Sequence, residues 1–487
     1  MDQALIPFDN SYARLPERFF TRMNPEPVKA PSLVKLNAEL ASVLGFRAQE
    51  LGSEEAVEWL SGNRVPAGAE PIAAVYAGHQ FGGWSPRLGD GRAILLGEVV
   101  GKDGVRRDIQ LKGSGQTPYS RSGDGRAAIG PVLREYLISE AMHALGVPTT
   151  RALAAVTTGQ PVIRDTVMPG AILTRVAESH IRVGTFQYFA SQQDYDAIRA
   201  LADFSIARHD PEAADAENPY LTFFAGVVER QANLIVQWLS IGFIHGVMNT
   251  DNMTISGETI DYGPCAFMDH YNPEQVYSSI DHYGRYAFSN QPTIAQWNLV
   301  QLAQCLLPII DQDRDHAVEL AQAVVDEFPT LFQAALASRM TRKLGIAAPE
   351  PEDAQLVQEL LDVMAKERAD FTLTFRFLTD TATGDADHES PVGGSSTFRE
   401  WMTRWQARID QQDTDPAAVM SMVNPIYIPR NHRVEEALDA ATRDANYEPF
   451  ERLLNVITNP FEHQNDCEDF VTPPEPDEIV PATFCGT

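Results

Sequence analysis

The sequence predicts an α+β fold in two lobes, because a region rich in strands precedes a mainly helical region. Most of residues 66–185 consists of short apolar runs broken by glycines, which is typical of antiparallel strands joined by turns. From about residue 186 onward, apolar residues recur at helical spacing. Strands followed by helices favour segregated layers or lobes over an alternating β/α sheet. We therefore expect an N-terminal extension over 1–65 that packs on the core, an N-lobe over 66–185, and a helical C-lobe with a C-terminal extension over 186–487.

Local patterns predict the elements in chain order. The stretch PSLVKLNAELASVLGF, residues 31–46, has apolar residues at helical spacing, and short strands are expected between residues 71 and 115. The next helix carries an apolar stripe from Ile129 to Leu137, and Gly146 followed by Pro148 marks its end. Further strands are expected over 150–176. Two apolar stretches after them predict long helices, NPYLTFFAGVVERQANLIVQWLSIGF and TIAQWNLVQLAQCLLPII.

The composition excludes several classes of partner and site. The 38 basic and 67 acidic residues give a formal charge of −29, which would repel a phosphate backbone, so we expect no nucleic-acid partner. There is no run of about 18 uninterrupted apolar residues and no secretory signal at the N-terminus, so we expect a cytoplasmic protein without membrane contact. The four cysteines, at positions 265, 305, 467 and 485, are too scattered for a zinc site or a disulfide framework.

The segment HGVMNTDN, residues 245–252, matches a catalytic pattern of protein kinases in its His and Asn but not in its Asp. Kinases carry H-R-D-x-x-x-x-N, in which the Asp takes the proton of the acceptor hydroxyl and the Asn holds a metal ion. His245 and Asn252 fall in place, but the Asp position is Val247, and a valine cannot accept a proton. Three interpretations are open at this point: an inactive kinase, a chance match, or an enzyme that performs another transfer in a similar cradle.

Asp261, nine residues after Asn252, begins the triplet Asp-Tyr-Gly. Kinases have Asp-Phe-Gly soon after their catalytic loop, and the two oxygen-bearing side chains converge there on Mg²⁺ at the nucleotide phosphates. Hard divalent cations prefer such oxygen ligands. The two motifs together therefore predict a Mg²⁺ site at Asn252 and Asp261, with Mn²⁺ as an alternative ion.

Lys112 ends an apolar strand in DIQLKGSG, where kinases place the lysine that pairs with phosphate oxygens. Such a lysine requires a glutamate partner on the following helix. Glu140 falls inside the apolar stripe of that helix and Glu135 lies on its flank, so periodicity favours Glu140. An acidic residue within the stripe is equally compatible with a solvated helix end, and the sequence alone does not decide between the two.

Two glycine-rich segments, RLGDGRA and GSGQTPYSRSGDGR, offer backbone N–H groups and nearby arginines, which suits phosphate. Neither segment fits the P-loop pattern. The dinucleotide-binding pattern also fails, because Pro118 stands where its third glycine would be. Both standard nucleotide-binding loops are therefore excluded.

Several segments together resemble the selenoprotein O family of protein adenylyltransferases. They are YAGHQFGGWSPRLGDGRA, DIQLKGSGQTPYSRSGDGRAAIGPVLREYLISEAMHALGVPTTRAL, HGVMNTDN, DYGPCAFMD and a Cys third from the C-terminus. The resemblance runs over most of the chain. It implies a bilobal, protein-kinase-like fold and a metal-dependent transfer of AMP from ATP to Ser, Thr or Tyr hydroxyls of proteins, with release of pyrophosphate.

Carried over position by position, the resemblance implies roles for individual residues. Asp251 would be the proton acceptor, and Asn252 and Asp261 the metal ligands. Glu135 would be the ion-pair partner of Lys112, which overrides the preference from periodicity. The residues that the resemblance assigns to the nucleotide are Gly89, Gly91, Arg92, Lys112, Asp124, Gly125, Arg175, Arg182 and Asp261.

The resemblance also offers an explanation for Val247. It implies that ATP lies reversed relative to its orientation in a kinase, so that the α-phosphate faces the acceptor. An aspartate at position 247 is then no longer where the hydroxyl loses its proton, and Asp251 can serve instead. With an unperturbed pKa of about 3.9, Asp251 would orient the hydroxyl as much as deprotonate it.

Cys485 stands where some members of this family carry selenocysteine. We hypothesise that it pairs with Cys265, which follows the Asp-Tyr-Gly triplet; two independent thiols are the alternative. The family also implies protein substrates, redox-related proteins among them, and self-modification.

Two other functions are compatible with these motifs. The first is an ATP-dependent kinase that uses Asp251 with the nucleotide in the ordinary orientation. The second is a catalytically silent pseudokinase scaffold, which Val247 favours. The retention of Lys112, Asn252 and Asp261 argues against the scaffold, because a pure scaffold has little physical need for a full metal site.

Overall fold

The computed structural model describes residues 6–384 and 389–484 of the chain. The strands are β1 Phe20–Arg22, β2 Ser32–Leu36, β3 Ile72–Ala74, β4 Gly78–Gln80, β5 Gly83–Ser85, β6 Ala93–Val100, β7 Arg106–Lys112, β8 Ala127–Ala128, β9 Arg151–Ile163, β10 Val167–Ala177, β11 Phe243–Ile244 and β12 Ala266–Phe267. The α-helices are α1 Ala38–Val43, α2 Ala48–Leu51, α3 Glu54–Leu60, α4 Ile129–Ala144, α5 Val183–Ser191, α6 Tyr195–His209, α7 Pro219–Ser240, α8 Gln291–Ile310, α9 Arg314–Lys343, α10 Asp353–Glu367, α11 Phe371–Thr383, α12 Ser396–Ile409, α13 Pro416–Ser421, α14 Asn431–Asp444 and α15 Glu448–Ile457. Long strands precede long helices, which confirms the predicted α+β class and is compatible with a bilobal, kinase-like fold.

One antiparallel sheet dominates the N-terminal half. Its strand order is β1-β3-β6-β7-β10-β9-β2, and β8 pairs with β10. Lys112 at the end of β7 lies opposite Leu173 of β10, and Gln110 lies opposite Arg175. Because side chains alternate between the two faces of a strand, this register puts Lys112 and Arg175 on the same face of the sheet.

The first 65 residues contribute strands to both edges of this sheet. β1 pairs with β3, and β2 pairs with β9. The helical prediction for residues 31–46 is wrong in its first half, because Ser32–Leu36 form β2. Helix α1 begins only at Ala38, where the Asn37 side chain accepts a hydrogen bond from the Leu40 N–H. Pairing with a long neighbouring strand has outweighed the helical spacing of a short segment. The boundaries at residues 65 and 185 stay predictions.

Helix α4 is buried on all sides between the sheet and the C-terminal helices. It packs against β9 and β10 on one side and against α14 and α15 on the other. Its buried residues include the charged Arg134, Glu135 and Glu140. The helix ends as predicted, with Gly146 in the left-handed conformation at φ +76° directly after it. A helix that is buried all round has no single apolar face.

The core of the helical half is built on α7, which packs against α8 and α9. Asn218 caps α7 by accepting a hydrogen bond from the Leu221 N–H. Within the described residues, Phe288–Ile310 is the one helical segment that is long and apolar enough to cross a membrane, with a mean hydropathy of 1.2. Because 56% of that window is buried, the packing of α8 against α7 and α9 accounts for its apolar composition.

A short antiparallel ladder brings the two kinase-like motifs together. Strand β11 directly precedes HGVMNTDN, and it pairs with β12, which follows the Asp-Tyr-Gly triplet. His245 reinforces the ladder, because its Nε2 donates to the Ile260 carbonyl at 2.9 Å and its Nδ1 accepts from the Val247 N–H at 3.3 Å. Burial lowers the pKa of His245. This histidine therefore holds the loop in place as a neutral side chain.

Candidate active site

A cleft of about 710 Å³ lies between the sheet and the helical half, and residues from both halves line it. It gathers side chains from Tyr76 to Ile280, which are about 200 positions apart in the sequence. The predicted residues that line it are Gly89, Gly91, Arg92, Lys112, Asp124, Gly125, Glu135, Arg175, Arg182, Asp251, Asn252 and Asp261. Cys265 is not among them, and Cys485 lies outside the described residues.

Lys112 pairs with Glu135 in this cleft. The Lys112 Nζ lies 2.6 Å from Glu135 Oε2 and 3.0 Å from Asp261 Oδ1. Glu140 is turned away, because its carboxylate binds the Arg151 side chain at 2.9 and 2.7 Å. Periodicity therefore favoured the wrong glutamate. The reason is that α4 is buried all round, so position within an apolar stripe does not tell which side chain faces the cleft.

Two arginines complete a cationic cluster, which we define as Lys112, Glu135, Arg175, Arg182 and Asp261. The Arg175 Nη2 donates to Asp261 Oδ1 at 2.6 Å, and its Nε donates to Glu135 Oε1 at 2.7 Å. The Arg182 Nη1 donates to Asp261 Oδ2 at 3.0 Å. Three cations thus face two carboxylates, and one positive charge is left over. A surplus of positive charge in a cleft suits a polyphosphate.

The charges of the cluster determine how Asp261 titrates. Burial raises the pKa of Asp261, but the positive charges of Arg175, Lys112 and Arg182 outweigh burial and hold that pKa well below its usual value. The carboxylate is therefore ionised at any physiological pH. Asp261 also adopts the left-handed backbone conformation, at φ +63°, which is strained for a residue with a side chain. The three cationic contacts hold the strained conformation in place.

Asp251 lies beside this cluster in a short turn, Thr250–Asn252, and its backbone carbonyl accepts a hydrogen bond from the Arg182 Nη1 at 2.7 Å. Its side chain is buried, with the residue 6% exposed. The Gln80 Nε2 donates to Asp251 Oδ2 at 3.1 Å, and Oδ1 has no hydrogen-bond partner among the described residues. Burial raises the pKa of Asp251 to about 6. Asp251 is thus a stronger base near neutral pH than its unperturbed pKa implied.

The oxygen donors of Asn252 and Asp261 fit a hard divalent cation. The Asn252 Nδ2 donates to the Val247 carbonyl at 2.9 Å, which leaves the amide oxygen of Asn252 as its remaining polar atom. Both side chains line the same cleft. No group of three or more His, Cys, Asp or Glu side chains that could hold a metal ion occurs within residues 6–384 and 389–484. Two protein ligands completed by phosphate and water suit Mg²⁺ rather than a dedicated all-protein site.

The glycine-rich segments form the wall of the cleft opposite the helical half. Gly89 has φ +75°, and a Cβ there would meet the Tyr119 ring at 2.4 Å, so no other residue fits without moving that ring. The Arg92 side chain lines this wall and makes no hydrogen bond or ion pair with the part of the chain that the structure describes. Asp124 at the cleft edge is engaged instead by Arg164, at 2.9 and 3.0 Å. The wall therefore adds a free guanidinium to the cationic cluster.

Three cleft residues escaped the prediction from sequence. Gln80 contacts the Asp251 carboxylate, Tyr76 lies beneath the Arg182 guanidinium at 4.5 Å, and Tyr119 packs on Gly89. Gln80 and Tyr76 belong to the segment YAGHQFGGW, which entered the prediction as part of a family resemblance and without a chemical role. A single Gln or Tyr in a short strand carries no chemical signal of its own.

The thiol of Cys265 is buried outside the cleft. Burial raises its pKa to about 11, so it is a thiol rather than a thiolate at neutral pH. Its predicted partner, Cys485, lies outside the described residues. Close by in the sequence, the Thr483 Oγ1 donates to the Pro264 carbonyl at 2.6 Å, so the chain passes beside the segment that carries Cys265.

Comparison with known proteins gives a consistent result over the whole chain. The sequence model of the family described as "Protein adenylyltransferase SelO" matches residues 4–458. The chain is 59% identical over 488 residues to the protein nucleotidyltransferase YdiU of Rhodopseudomonas palustris (strain HaA2), covering 99% of each chain. It is 58% identical to the protein of the same name from Methylorubrum populi, covering 99% of this chain and 100% of that one. The corresponding protein of Rhizobium etli is also 58% identical, over 99% of this chain and 98% of its own.

Proposed function

The chain belongs to the SelO family of protein adenylyltransferases, and we propose that it uses the cleft described above to transfer AMP from ATP to protein hydroxyls with a bound divalent metal ion. The family name and the relatives establish a nucleotidyltransferase that acts on protein. The metal, the type of acceptor hydroxyl and the role of each residue are our proposal. The cationic cluster is the observation that carries it, because it offers surplus positive charge to a polyphosphate beside a base with an unused oxygen.

In this proposal the cationic cluster and Arg92 bind the β- and γ-phosphates of ATP. Lys112, Arg175 and Arg182 converge on Asp261 from three directions, so their charges are already oriented before a nucleotide arrives. Pyrophosphate is the leaving group when AMP is transferred, and these cations stabilise the charge that develops on it. The α-phosphate then points away from the cluster, toward the Asp251 side of the cleft.

Asn252 and Asp261 would hold the metal ion, Mg²⁺ or alternatively Mn²⁺. When bound, the ion would neutralise phosphate charge and polarise the phosphorus that is attacked. Asp261 supplies the ionised carboxylate, because its pKa is held well below its usual value by Arg175, Lys112 and Arg182 against the opposing effect of burial. Asn252 supplies a neutral oxygen, held by its hydrogen bond to the Val247 carbonyl.

Asp251 accepts the proton of the incoming hydroxyl. The hydroxyl oxygen forms a bond to the α-phosphorus while the bond from that phosphorus to the bridging oxygen breaks, and pyrophosphate leaves with the electron pair. A base with a pKa of about 6 is well matched to proton transfer near neutral pH. Val247, which lines the cleft at the position of the kinase aspartate, then needs no proton-accepting group.

Labelled ATP tests the proposal directly. Incubation with α-³²P-ATP and Mg²⁺ should leave label on a protein acceptor, the chain itself included, whereas γ-³²P-ATP should not. Chelation of the metal should abolish labelling. A kinase is the second candidate, favoured by the Lys112–Glu135 pair and by the Asn252 and Asp261 motifs. Retention of γ-label with loss of α-label would establish the kinase, and no labelling in either case would favour a silent scaffold.

Three further expectations complete the proposal. We place the protein in the cytoplasm, with redox-related proteins among its substrates. We also retain the pairing of Cys265 with Cys485 as a hypothesis. Peptide mapping under non-reducing, oxidising conditions should recover a linked 265–485 species, and its absence would reject the pairing.

A further inference from the structure

The hairpin formed by β4 and β5 is hydrogen-bonded to the loop that carries Asp251. We call this loop, residues 249–252, the acceptor loop. The His79 N–H donates to the Thr250 Oγ1 at 2.7 Å, and the Phe81 N–H donates to the Asn249 Oδ1 at 3.0 Å. Gln80 lies between these two residues, and its Nε2 donates to the Asp251 carboxylate at 3.1 Å. Three consecutive hairpin residues therefore bind three consecutive residues of the acceptor loop.

These three contacts differ in kind. His79 and Phe81 use backbone N–H groups, which survive substitution of their side chains. Gln80 uses its side chain, and it is the one residue of the hairpin that donates a hydrogen bond to the Asp251 carboxylate. A substitution at Gln80 can thus remove the contact with the carboxylate while the backbone contacts keep the hairpin on the loop.

The other oxygen of Asp251 is confined by the same hairpin. A Cβ added at Gly78 would lie 2.7 Å from Asp251 Oδ1, so the backbone of Gly78 lies directly against that oxygen. The Asp251 carboxylate is therefore bound through Oδ2 on one side and limited by backbone on the other. Both restraints come from β4, in the N-terminal half, although Asp251 itself belongs to the helical half.

We propose that Gln80 is a positioning residue that orients the Asp251 carboxylate for proton acceptance. The inference rests on the proposed role of Asp251. Gln80 lines the cleft beside Asp251, so the hydrogen bond lies at the wall that an incoming hydroxyl must approach. Without it, Asp251 Oδ2 loses the side-chain donor that fixes its direction, and only the contact with the Gly78 backbone restrains the carboxylate.

The test compares substitutions in the full chain by the initial rate of α-³²P label transfer into a soluble protein extract at saturating ATP. Gln80→Met keeps the side-chain length and removes the donor, and it should lower the rate about 10- to 100-fold, the range seen when metal-ligating side chains lose an orienting hydrogen bond. Its Kd for ATP should change by no more than about twofold, because Gln80 touches no residue of the cationic cluster.

Gln187 provides a matched control. Its Oε1 accepts a hydrogen bond from the Thr250 hydroxyl at 2.6 Å, so it contacts the acceptor loop one residue away from Asp251 without reaching the carboxylate. Gln187→Glu retains that acceptor and replaces the Nε2 amide group, which lies 2.9 Å from the His79 Nδ1, with an oxygen that can accept a hydrogen bond from that ring nitrogen, so it should change the rate by no more than about twofold. The same amide-to-carboxylate change at Gln80 removes the donor and places a second negative charge against Asp251, so Gln80→Glu should be at least as slow as Gln80→Met.

A double substitution distinguishes orientation from general loss of structure. In the Asp251→Asn background, Gln80→Met should lower the rate by no more than about twofold, since the two residues act as a unit. The role of Gln80 is rejected if Gln80→Met keeps the wild-type rate, or if it weakens ATP binding in proportion to the rate. It is also rejected if Gln80→Met lowers the rate by the same factor in the Asp251→Asn background as in the wild type. A wild-type rate in Asp251→Asn alone would instead reject the acceptor itself, and with it the proposed assignment of the site.

Discussion

In the cationic cluster every carboxylate oxygen has a cationic partner, whereas in the acceptor loop the Asp251 carboxylate has one amide donor on one oxygen and none on the other. The cluster is a network whose members hold each other in place before any ligand binds. The Asp251 carboxylate retains an unpaired acceptor oxygen, Oδ1, in a buried position against the backbone of Gly78, which costs stability. In the proposed function, this difference assigns phosphate binding to the cationic cluster and proton acceptance to the acceptor loop.

Removal of the shared carboxylate of the cluster should have the largest effect. Asp261→Ala eliminates a proposed metal ligand and leaves three cations facing Glu135 alone, so label transfer from α-³²P-ATP should fall to background. The free energy of unfolding should also fall by about 3–5 kcal/mol, since a buried ion network is broken on one side. Denaturant titration measures the second effect. Asp439→Ala is the control, because its exposed ion pair with Arg443 lies outside the cleft and contributes at most about 1 kcal/mol.

Removal of the base should separate reaction from binding. Asp251→Asn keeps the shape of the side chain and removes its negative charge, so the rate of transfer should fall by about 100-fold or more. The Kd for ATP should stay close to that of the wild type, because the cluster is unchanged. Isothermal titration with ATP and the α-³²P assay measure the two quantities. A parallel loss of ATP affinity would show that Asp251 contributes to ATP binding, and the two regions would then not differ in function.

The two regions should also respond differently to pH. Burial raises the pKa of Asp251 to about 6, so the transfer rate should decline as the pH is lowered through that value and the base becomes protonated. Asp261 has its pKa held well below the usual range by the neighbouring cations despite its burial, so ATP binding should not follow the same decline. Rates and ATP affinities measured between pH 5 and 8 test this. An equal decline of both would contradict it.

The smallest expected effect concerns Glu258, a buried carboxyl group that holds the turn leading to the cationic cluster. Glu258 accepts hydrogen bonds from the backbone N–H of Glu178 at 3.0 Å and from the Ser256 hydroxyl at 2.9 Å, and it thereby fixes the turn that leads to Arg182. Burial raises the pKa of Glu258 to about 8. The folded state therefore holds this proton more tightly than the unfolded state, and the associated stability is lost as the pH rises from about 4.5 to about 8.

Glu258→Gln should remove that pH dependence. Between pH 6 and 9 the free energy of unfolding should fall more in the wild type than in the variant. The difference should reach a few kcal/mol, since each unit of pKa shift corresponds to about 1.4 kcal/mol. Unfolding by denaturant at the two pH values measures the difference. Equal losses in the two proteins would show that Glu258 ionises without penalty, and the turn before Arg182 would then be held by its hydrogen bonds alone.

The sequence predicted the parts of the site that depend on linear order. Asn252 and Asp261 could be found because their spacing is a recurrent pattern, and Lys112 because it ends an apolar strand. Glu135 could not be separated from Glu140 by periodicity, since α4 is covered on both sides. Gln80 left no signal, because its role depends on a hairpin that crosses to a loop about 170 residues further along the chain.

The fold shows the same division between local and distant determinants. The strand-rich half and the helical half could be predicted from the local spacing of apolar residues and glycines, and the end of α4 from Gly146. Strand β2 was predicted as helix because its sequence has helical spacing, and its pairing with β9 involves residues more than 100 positions away. The raised pKa of Asp251 was equally invisible, since burial of a side chain by a distant hairpin cannot be derived from its neighbours in the sequence.

The positions of β1 and β2 in the sheet have a consequence for synthesis and handling of the protein. Both strands are synthesised early, but each pairs with a strand that is synthesised later. Together they cover the two edges of the sheet, where a strand of another molecule could otherwise pair. Proteolytic loss of the first 36 residues would remove both edge strands at once. The expected outcome is a protein that aggregates through the unpaired backbone of its exposed strand edges, even though every side chain that lines the cleft is still present.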